Sequence, residues 1–323
     1  MKSSPGFYLL CKRASLTQKT IASERIDLAT VNGIIIVDKP AGWTSHDVVA
    51  KLRGALRVKR IGHGGTLDPM ATGVLPVFAG RATRAAGFSE NADKEYIAGL
   101  RLGVVTDTQD ITGNVISEAC ASVSVDELAD MLLRFEGWQK QIPPMYSAIK
   151  RDGKKLYELA RRGVEVPREA RDVNISRLEL VEGAGSEFLL RIVCSKGTYI
   201  RTLCHDVGAA LGCGGTMSSL RRTRAGVFTI ESAHTLDSIL TAVAGGAGEG
   251  MFLPVDTIFS EFPAVTLSSG DAEKCRHGAS LKLAHLSDGR YRFYAPDGGF
   301  LMLGEAGNGA VKVVKSFYSL EQD

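Results

Sequence analysis

The amino-acid sequence predicts an α+β fold: a mainly antiparallel mixed sheet flanked by helices, followed by a small all-β barrel. Three observations carry this. Strand-like and helix-like segments are interspersed up to residue 254 without the steady strand–helix–strand alternation of a doubly wound parallel sheet. The stretch 242–250 is almost all alanine and glycine and reads as a linker or loose loop. Beyond it come only short strand-like runs separated by turn residues.

In order along the chain, residues 1 to 31 are basic and rich in serine and threonine, show no hydrophobic period, and are expected to form a disordered extension. Gly33-Ile34-Ile35-Ile36-Val37 is apolar and rich in β-branched residues, and it stops at Asp38-Lys39-Pro40 as a buried strand ended by a proline turn would. A helix follows, with Ser45 as N-cap, Asp47 in the first turn, and Val48, Val49, Leu52, Ala55 and Leu56 as its buried stripe. Ser124 and Glu127 have capping-box spacing; Leu128, Met131, Leu132 and Phe135 supply the apolar face, and Gly137 is placed to end that helix. Phe188 to Cys194 reads as a strand. Leu203, Val207 and Leu211 then face inward on a helix running to Gly212, which puts Tyr199 and Arg201 at a strand-to-helix junction. In the tail, 264–267, 290–294, 300–303 and 311–314 are strand-like, with Ser287-Asp288-Gly289 and Pro296-Asp297-Gly298-Gly299 as turns.

With 323 residues and 44% hydrophobic content, the chain can bury one large core and a smaller second one. No apolar run approaches the roughly 20 residues of a membrane span, and Phe7-Tyr8-Leu9-Leu10-Cys11 is too short for a signal-peptide core. The six cysteines are scattered, without a C-x-x-C pair, and fit reduced thiols. A cytoplasmic protein without a membrane partner is expected.

The net charge of +3 is mild, but the charge is unevenly placed. Lys51, Arg53, Arg57, Lys59 and Arg60 lie in one acid-free run, 150–171 holds eight basic residues against four acidic ones, and Arg221-Arg222-Thr223-Arg224 forms a third cluster. Each alone is an ordinary solvated face; together they point to a polyanionic partner.

The densest unusual stretch runs Gly62-His63-Gly64-Gly65-Thr66-Leu67-Asp68-Pro69-Met70-Ala71-Thr72-Gly73-Val74-Leu75-Pro76. It lacks the lysine of a G-x-x-x-x-G-K-[ST] phosphate loop and does not fit G-x-G-x-x-G. On spacing alone Asp68 reads equally well as an Asx-turn residue ahead of Pro69. Cys204-His205-Asp206 has the residue types of a catalytic or metal trio, but consecutive helix positions cannot converge on one atom, and no metal site is expected.

From Asn32 to about Pro254 the chain resembles the bacterial tRNA pseudouridine-55 synthases of the TruB family. The long block around Asp68 carries the resemblance together with Val37-Asp38-Lys39-Pro40-Ala41-Gly42, Lys94-Glu95-Tyr96, Leu102-Gly103, Thr106-Asp107-Thr108-Gln109-Asp110, Pro143-Pro144-Met145-Tyr146-Ser147-Ala148, Lys196-Gly197-Thr198-Tyr199-Ile200-Arg201 and Leu220-Arg221-Arg222. The stretch from about Phe262 to Tyr318 resembles, more loosely, the family's PUA-type barrel. The resemblance implies a pseudouridine synthase fold over 32–254, with 144–171 as a basic RNA-clamping insertion, and a PUA-like RNA-binding domain over 260–320.

It also implies an isomerase that flips a T-loop uridine of tRNA out of its stack and reattaches uracil to ribose through C5, without cofactor or metal. Asp68 is then the essential carboxylate, acting by covalent attack or by proton abstraction. Arg201 is the cation that opposes protonation of Asp68, lowering a carboxylate pKa by about 1–3 units. Tyr96 packs against the flipped uracil, Tyr199 approaches its edge and takes the C5 proton, Leu220 lines the pocket, and His63 enters the T-loop. Lys39 and Asp110 are read as holding turns. The partner implied is the T-arm of tRNA, with no protein partner and a monomeric state. Two other readings are an RNA-guided synthase acting on another RNA and a non-catalytic factor that folds tRNA.

Overall fold

The computed structural model describes residues 31–151 and 153–318, so the extension expected over 1–31 lies outside the described residues except for Val31. In chain order the elements are β1 (Gly33–Lys39), α1 (Ser45–Leu56), β2 (Ile61–His63), β3 (Thr72–Ala79), α2 (Ala86–Asn91), β4 (Lys94–Leu102), β5 (Val104–Thr106), β6 (Val115–Glu118), α3 (Val125–Leu133) and β7 (Gly137–Gln141). They continue with β8 (Lys150–Arg151), β9 (Lys154–Lys155), α4 (Leu156–Ala160), β10 (Arg171–Ala184), β11 (Glu187–Cys194), α5 (Ile200–Ala210), β12 (Gly215–Ala225), β13 (Phe228–Thr229), β14 (His234–Thr235) and α6 (Leu236–Ala244). The C-terminal part adds β15 (Ala264–Thr266), α7 (Ser269–Arg276), β16 (Leu281–Lys282), β17 (Gly289–Tyr294), β18 (Phe300–Gly307) and β19 (Ala310–Ser316).

One large sheet runs β14-β1-β3-β12-β4-β11-β10-β7, with β2 paired to β3 and β13 to β12. Among the described residues, the pairings of β1 with β14 and of β3 with β12 are the parallel ones in this sheet; its others are antiparallel, as the interspersed pattern predicts. β1 runs two residues beyond the apolar stretch, to Lys39. Its apolar run is continuous because both faces are covered. Ile35 and Val37 join the core shared with α1, α3, α5 and α6, while Ile34 and Ile36 join Val74, Phe78 and residues of the C-terminal part, Phe259, Leu303 and Phe317. Phe259 packs its ring edge against Phe88 at 5.0 Å.

Local expectations fare unevenly. Val48, Val49, Leu52 and Leu56 form the buried stripe of α1, but the N-cap is Thr44, in a capping box with Asp47; Ser45 is the first helical residue and is buried. Ser124 and Glu127 do form a capping box on α3, and Leu128 and Leu132 are its buried residues. The alanine-glycine stretch is not all loop: Ala242 to Ala244 complete α6, and Gly248 to Met251 form a short 3-10 turn in which Gly248 is buried. The C-terminal part is a curled five-stranded half-barrel, β15-β17-β18-β19-β16, that also contains α7. Among the described residues no helix is long and apolar enough to cross a membrane.

Candidate active site

Asp68 sits on the loop between β2 and β3, and three buried side chains from three other elements hold that loop. Lys39, at the end of β1, is fully buried and donates to the carbonyls of Pro40 at 2.9 Å, Trp43 at 2.6 Å and Pro69 at 3.2 Å. Ser45, at the start of α1, accepts from Leu67 N–H at 2.8 Å and donates back to Leu67 O at 3.2 Å. Arg222 on β12, 1% exposed, donates to the carbonyls of Val74 at 2.7 Å, Gly65 at 3.1 Å and Thr66 at 3.3 Å. The backbone on both sides of Asp68 is thereby fixed, and its polar groups are satisfied. Gly73 is required here: its φ is +101°, and a Cβ would stand 2.2 Å from the Arg222 carbonyl oxygen.

The Asp68 carboxyl, 34% exposed, faces Arg201 in the first turn of α5, with Arg201 Nη2 at 3.3 Å from Oδ2 and 3.4 Å from Oδ1. The same Nη2 donates to Tyr146 O at 2.7 Å, and Nη1 lies 3.7 Å from Asp110 Oδ2. A cation at a helix N-terminus opposes the helix dipole; here two carboxylates offset that cost, and Arg201 is buried between them. Asp110 is itself held by Thr112 N–H at 2.9 Å and by the Thr108 and Thr112 hydroxyls at 2.9 and 2.5 Å, so it fixes a turn as expected.

The expected pair is present and Arg201 does oppose protonation of Asp68, but it does not fully offset burial. Burial pushes its carboxyl above the ordinary carboxylate range; Arg201 and Lys39 pull against that shift and Asp110 adds to it. Burial likewise lowers Lys39 to about 8. Tyr199 and Tyr96 are both pushed up, chiefly by burial, and both feel the Asp68 charge, so their phenols stay protonated at neutral pH.

Tyr199 caps α5 by its backbone, and the Arg201 guanidinium lies 5.7 Å from its ring centroid. Tyr96 on β4 is buried, and Leu220 on β12 pairs with Ala98 two residues further along β4. Asp68, Arg201, Tyr199, Tyr96 and Leu220 thus gather over the middle of the sheet. His63 ends β2; burial, Arg222 and His46 hold its imidazole below its usual pKa, and its Nδ1 is buried without a partner among the described residues.

A family model described as the TruB family pseudouridylate synthase N-terminal domain matches residues 53–200, and one described as the tRNA pseudouridylate synthase B C-terminal domain matches 201–260. The chain is 44% identical over 288 residues to tRNA pseudouridine synthase B of Azoarcus sp. (strain BH72), covering 89% of this chain and 95% of that protein. The chain belongs to the TruB family of pseudouridylate synthases. Another TruB-type relative, tRNA pseudouridine synthase B of Dechloromonas aromatica (strain RCB), is 42% identical over 87% of this chain and 93% of its own length. Among solved structures, a Cbf5-Nop10-Gar1 complex matches with TM-score 0.70 at 29% identity, over 90% of this chain and 86% of that one. An H/ACA RNP bound to a substrate RNA containing 2′-deoxyuridine matches with TM-score 0.69 at 28% identity, over 91% and 86%.

Three residues of this TruB-family site escaped the sequence reading. The sequence groups Arg222 with Arg221 and Arg224 as a cationic surface; in the structure Arg222 is buried, and Arg221 pairs with Asp38 at 2.8 Å. The available signal was alternation: positions i and i+2 of a strand share a face, so the inward Leu220 places Arg222 inward too. Lys94 is also buried, donating to the carbonyls of Ser89, Glu90 and Ala92 at 3.2, 2.6 and 2.5 Å around the end of α2. Gln141, the last residue of β7, is buried against Tyr199.

Proposed function

We propose that this TruB-family isomerase converts uridine-55 in the T-loop of tRNA to pseudouridine, with Asp68 as its essential carboxylate and no cofactor. The observation that carries the reading is the half-open Asp68 carboxyl, held on a fixed loop against a buried arginine, with the buried Tyr96 and the half-buried Tyr199 both near enough to feel its charge. The reaction breaks the bond between C1′ and N1, turns the base, joins C1′ to C5, and moves the C5 proton off carbon while N1 gains one. A carboxylate beside the ribose serves the glycosidic exchange either as nucleophile or as base. Tyr96 and Leu220 bracket the extruded uracil, and stacking on an aromatic ring returns about 1–3 kcal/mol of what flipping costs. Because burial keeps the Tyr199 phenol protonated, it serves as a relay: its oxygen takes the C5 proton as its own O–H proton passes to solvent water, and N1 takes a proton from solvent.

The exposed cations of α1 and of the insertion over 144–171 hold the T-arm phosphates, His63 enters the loop, and the C-terminal half-barrel acts as a PUA-like module that adds affinity further along the tRNA. A tRNA substrate places this work in the cytoplasm. The same cationic surfaces would let the chain remodel tRNA without chemistry.

The test is release of tritium from uracil C5 in a T-arm stem-loop by the wild type and by Asp68→Asn. Wild type is expected to release the label stoichiometrically with pseudouridine. The variant is expected to fold and bind RNA near-normally and release none. Retained isomerisation by Asp68→Asn would remove the carboxylate from its role.

A further inference from the structure

Tyr199 starts α5 with no side-chain cap of its own, in an extended conformation with φ −98° and ψ 108°. Its backbone is held from outside: Gln141 Oε1 accepts from Tyr199 N–H at 2.8 Å, and Gln141 Nε2 donates to Tyr199 O at 3.0 Å. One buried carboxamide thus satisfies both polar groups of one residue, as a neighbouring strand would. Gln141 closes β7, where it pairs with Arg171, the first residue of β10; this rung is the root from which residues 142–170 depart. Five residues on, Tyr146 O accepts the 2.7 Å bond from Arg201, and the Ser147 hydroxyl lies beside the Tyr199 phenol.

We infer that Gln141 is a positioning residue for the reaction: its carboxamide sets the backbone of Tyr199, and so the place of the phenol and of Arg201 two residues later, from the rung that anchors the basic insertion. The inference rests on the reading that Tyr199 faces the substrate uracil. No hydrogen bond links Gln141 to the Asp68 loop among the described residues, so it acts on one wall of the site only. Glutamine suits the place because it carries a donor and an acceptor on one planar group. A glutamate would keep the acceptor for Tyr199 N–H but turn a second oxygen toward the Tyr199 carbonyl. A methionine would fill the volume and supply neither.

The test uses the full chain and tRNA carrying tritium at uracil C5, under single turnover at saturating enzyme. Gln141→Met is expected to slow label release by roughly ten- to a hundredfold, the scale of a misplaced reacting group, with the Kd for tRNA within about twofold of wild type. Gln141→Glu is expected to be slowed at pH 8 and to recover, relative to wild type at each pH, as the pH is lowered, because a protonated carboxyl regains the donor for Tyr199 O. Label release at the wild-type rate by both variants would overturn the inference, as would a loss no larger than the loss in tRNA binding. If Gln141→Met does not fold, the Gln141→Glu ratio decides alone, and a ratio flat with pH overturns the inference. A wild type that releases no label would instead sink the reading of the site on which the inference stands.

Discussion

Two sets of cations serve the catalytic half of the chain, and they do opposite things with their charge. Lys39, Lys94 and Arg222 are buried and spend their donors on backbone carbonyls; among the described residues none of them pairs with a carboxylate. Lys51, Arg57, Lys59 and Arg60 around α1, and Lys150, Lys154, Arg161 and Arg162 on the insertion, are exposed to solvent. A guanidinium among carbonyls fixes a loop by geometry, and salt does not screen it; an exposed ammonium fixes nothing but is available to a phosphate. A run of basic residues in a sequence therefore reports a cationic surface only where the chain turns those side chains outward. That division separates how this protein holds Asp68 from how it would hold RNA.

The sharpest way to break the division is at Arg201, which touches both sides: Asp68 on one, the Tyr146 carbonyl of the insertion on the other. Arg201→Met is expected to lower kcat by roughly two to three orders of magnitude. It should also move the acid limb of the kcat/KM profile to higher pH. The sign follows from the present balance, in which burial already holds Asp68 above the ordinary range and Arg201 opposes it. Without that charge the carboxyl titrates higher still, so a smaller fraction is ionised at any given pH. Arg201→Lys keeps the charge without the fork and should return the limb toward wild type while recovering less of the rate. A limb that stays in place in Arg201→Met would show that the arginine does not set the ionisation of Asp68.

A somewhat smaller effect, on stability, is expected from Arg222→Met. Three carbonyls lose their donor in a buried place, for a net loss of about 3 kcal/mol once the relief of desolvating the charge is subtracted. For a chain of this size that lowers Tm by roughly 4–5 °C, read by calorimetry. The salt dependence of tRNA binding should not change, since the guanidinium never meets solvent. A changed salt slope would mean that Arg222 reaches the RNA, and the division would fail at its centre.

How much of this was legible in the sequence follows the same line between local pattern and long-range packing. β1, α1, α3, β11 and α5 announce themselves by apolar runs, caps and spacing, and the structure places each within a few residues. β3 does not, because Pro76 argues against a central strand. It is tolerated in the gap where β3 has passed its two parallel rungs with β12, at Thr72 and Gly73, and has not yet met β2, whose rungs begin at Val77. α7 was hidden because only Ala272 and Cys275 of its residues are buried, too few to draw an apolar stripe. The cap falls one position before Ser45 because Thr44 and Ser45 are equally good caps; which one faces solvent depends on Leu67, 22 residues away. The Asp68–Arg201 pair joins positions 133 apart, so no local rule reaches it, and only the likeness of whole motifs did.

The outward cations offer the smallest effect and the cleanest contrast. Lys150, Lys154 and Arg162 are exposed, and none takes part in an ion pair among the described residues. Changing all three to alanine removes no buried contact, so folding and Tm should hold. If each meets one phosphate, the slope of log K for tRNA against log salt falls by about 1 for each cation lost. At moderate salt this corresponds to roughly tenfold weaker binding, while the rate at saturating tRNA stays that of wild type because the Asp68 loop is pinned without them. Filter binding across a salt series, read beside single-turnover rates, checks both halves. An unchanged slope would move phosphate contact away from the insertion and toward α1 or the half-barrel. A fallen saturating rate would mean instead that the rim helps to order the reacting groups, and the route open to it is the Tyr146 carbonyl that accepts from Arg201.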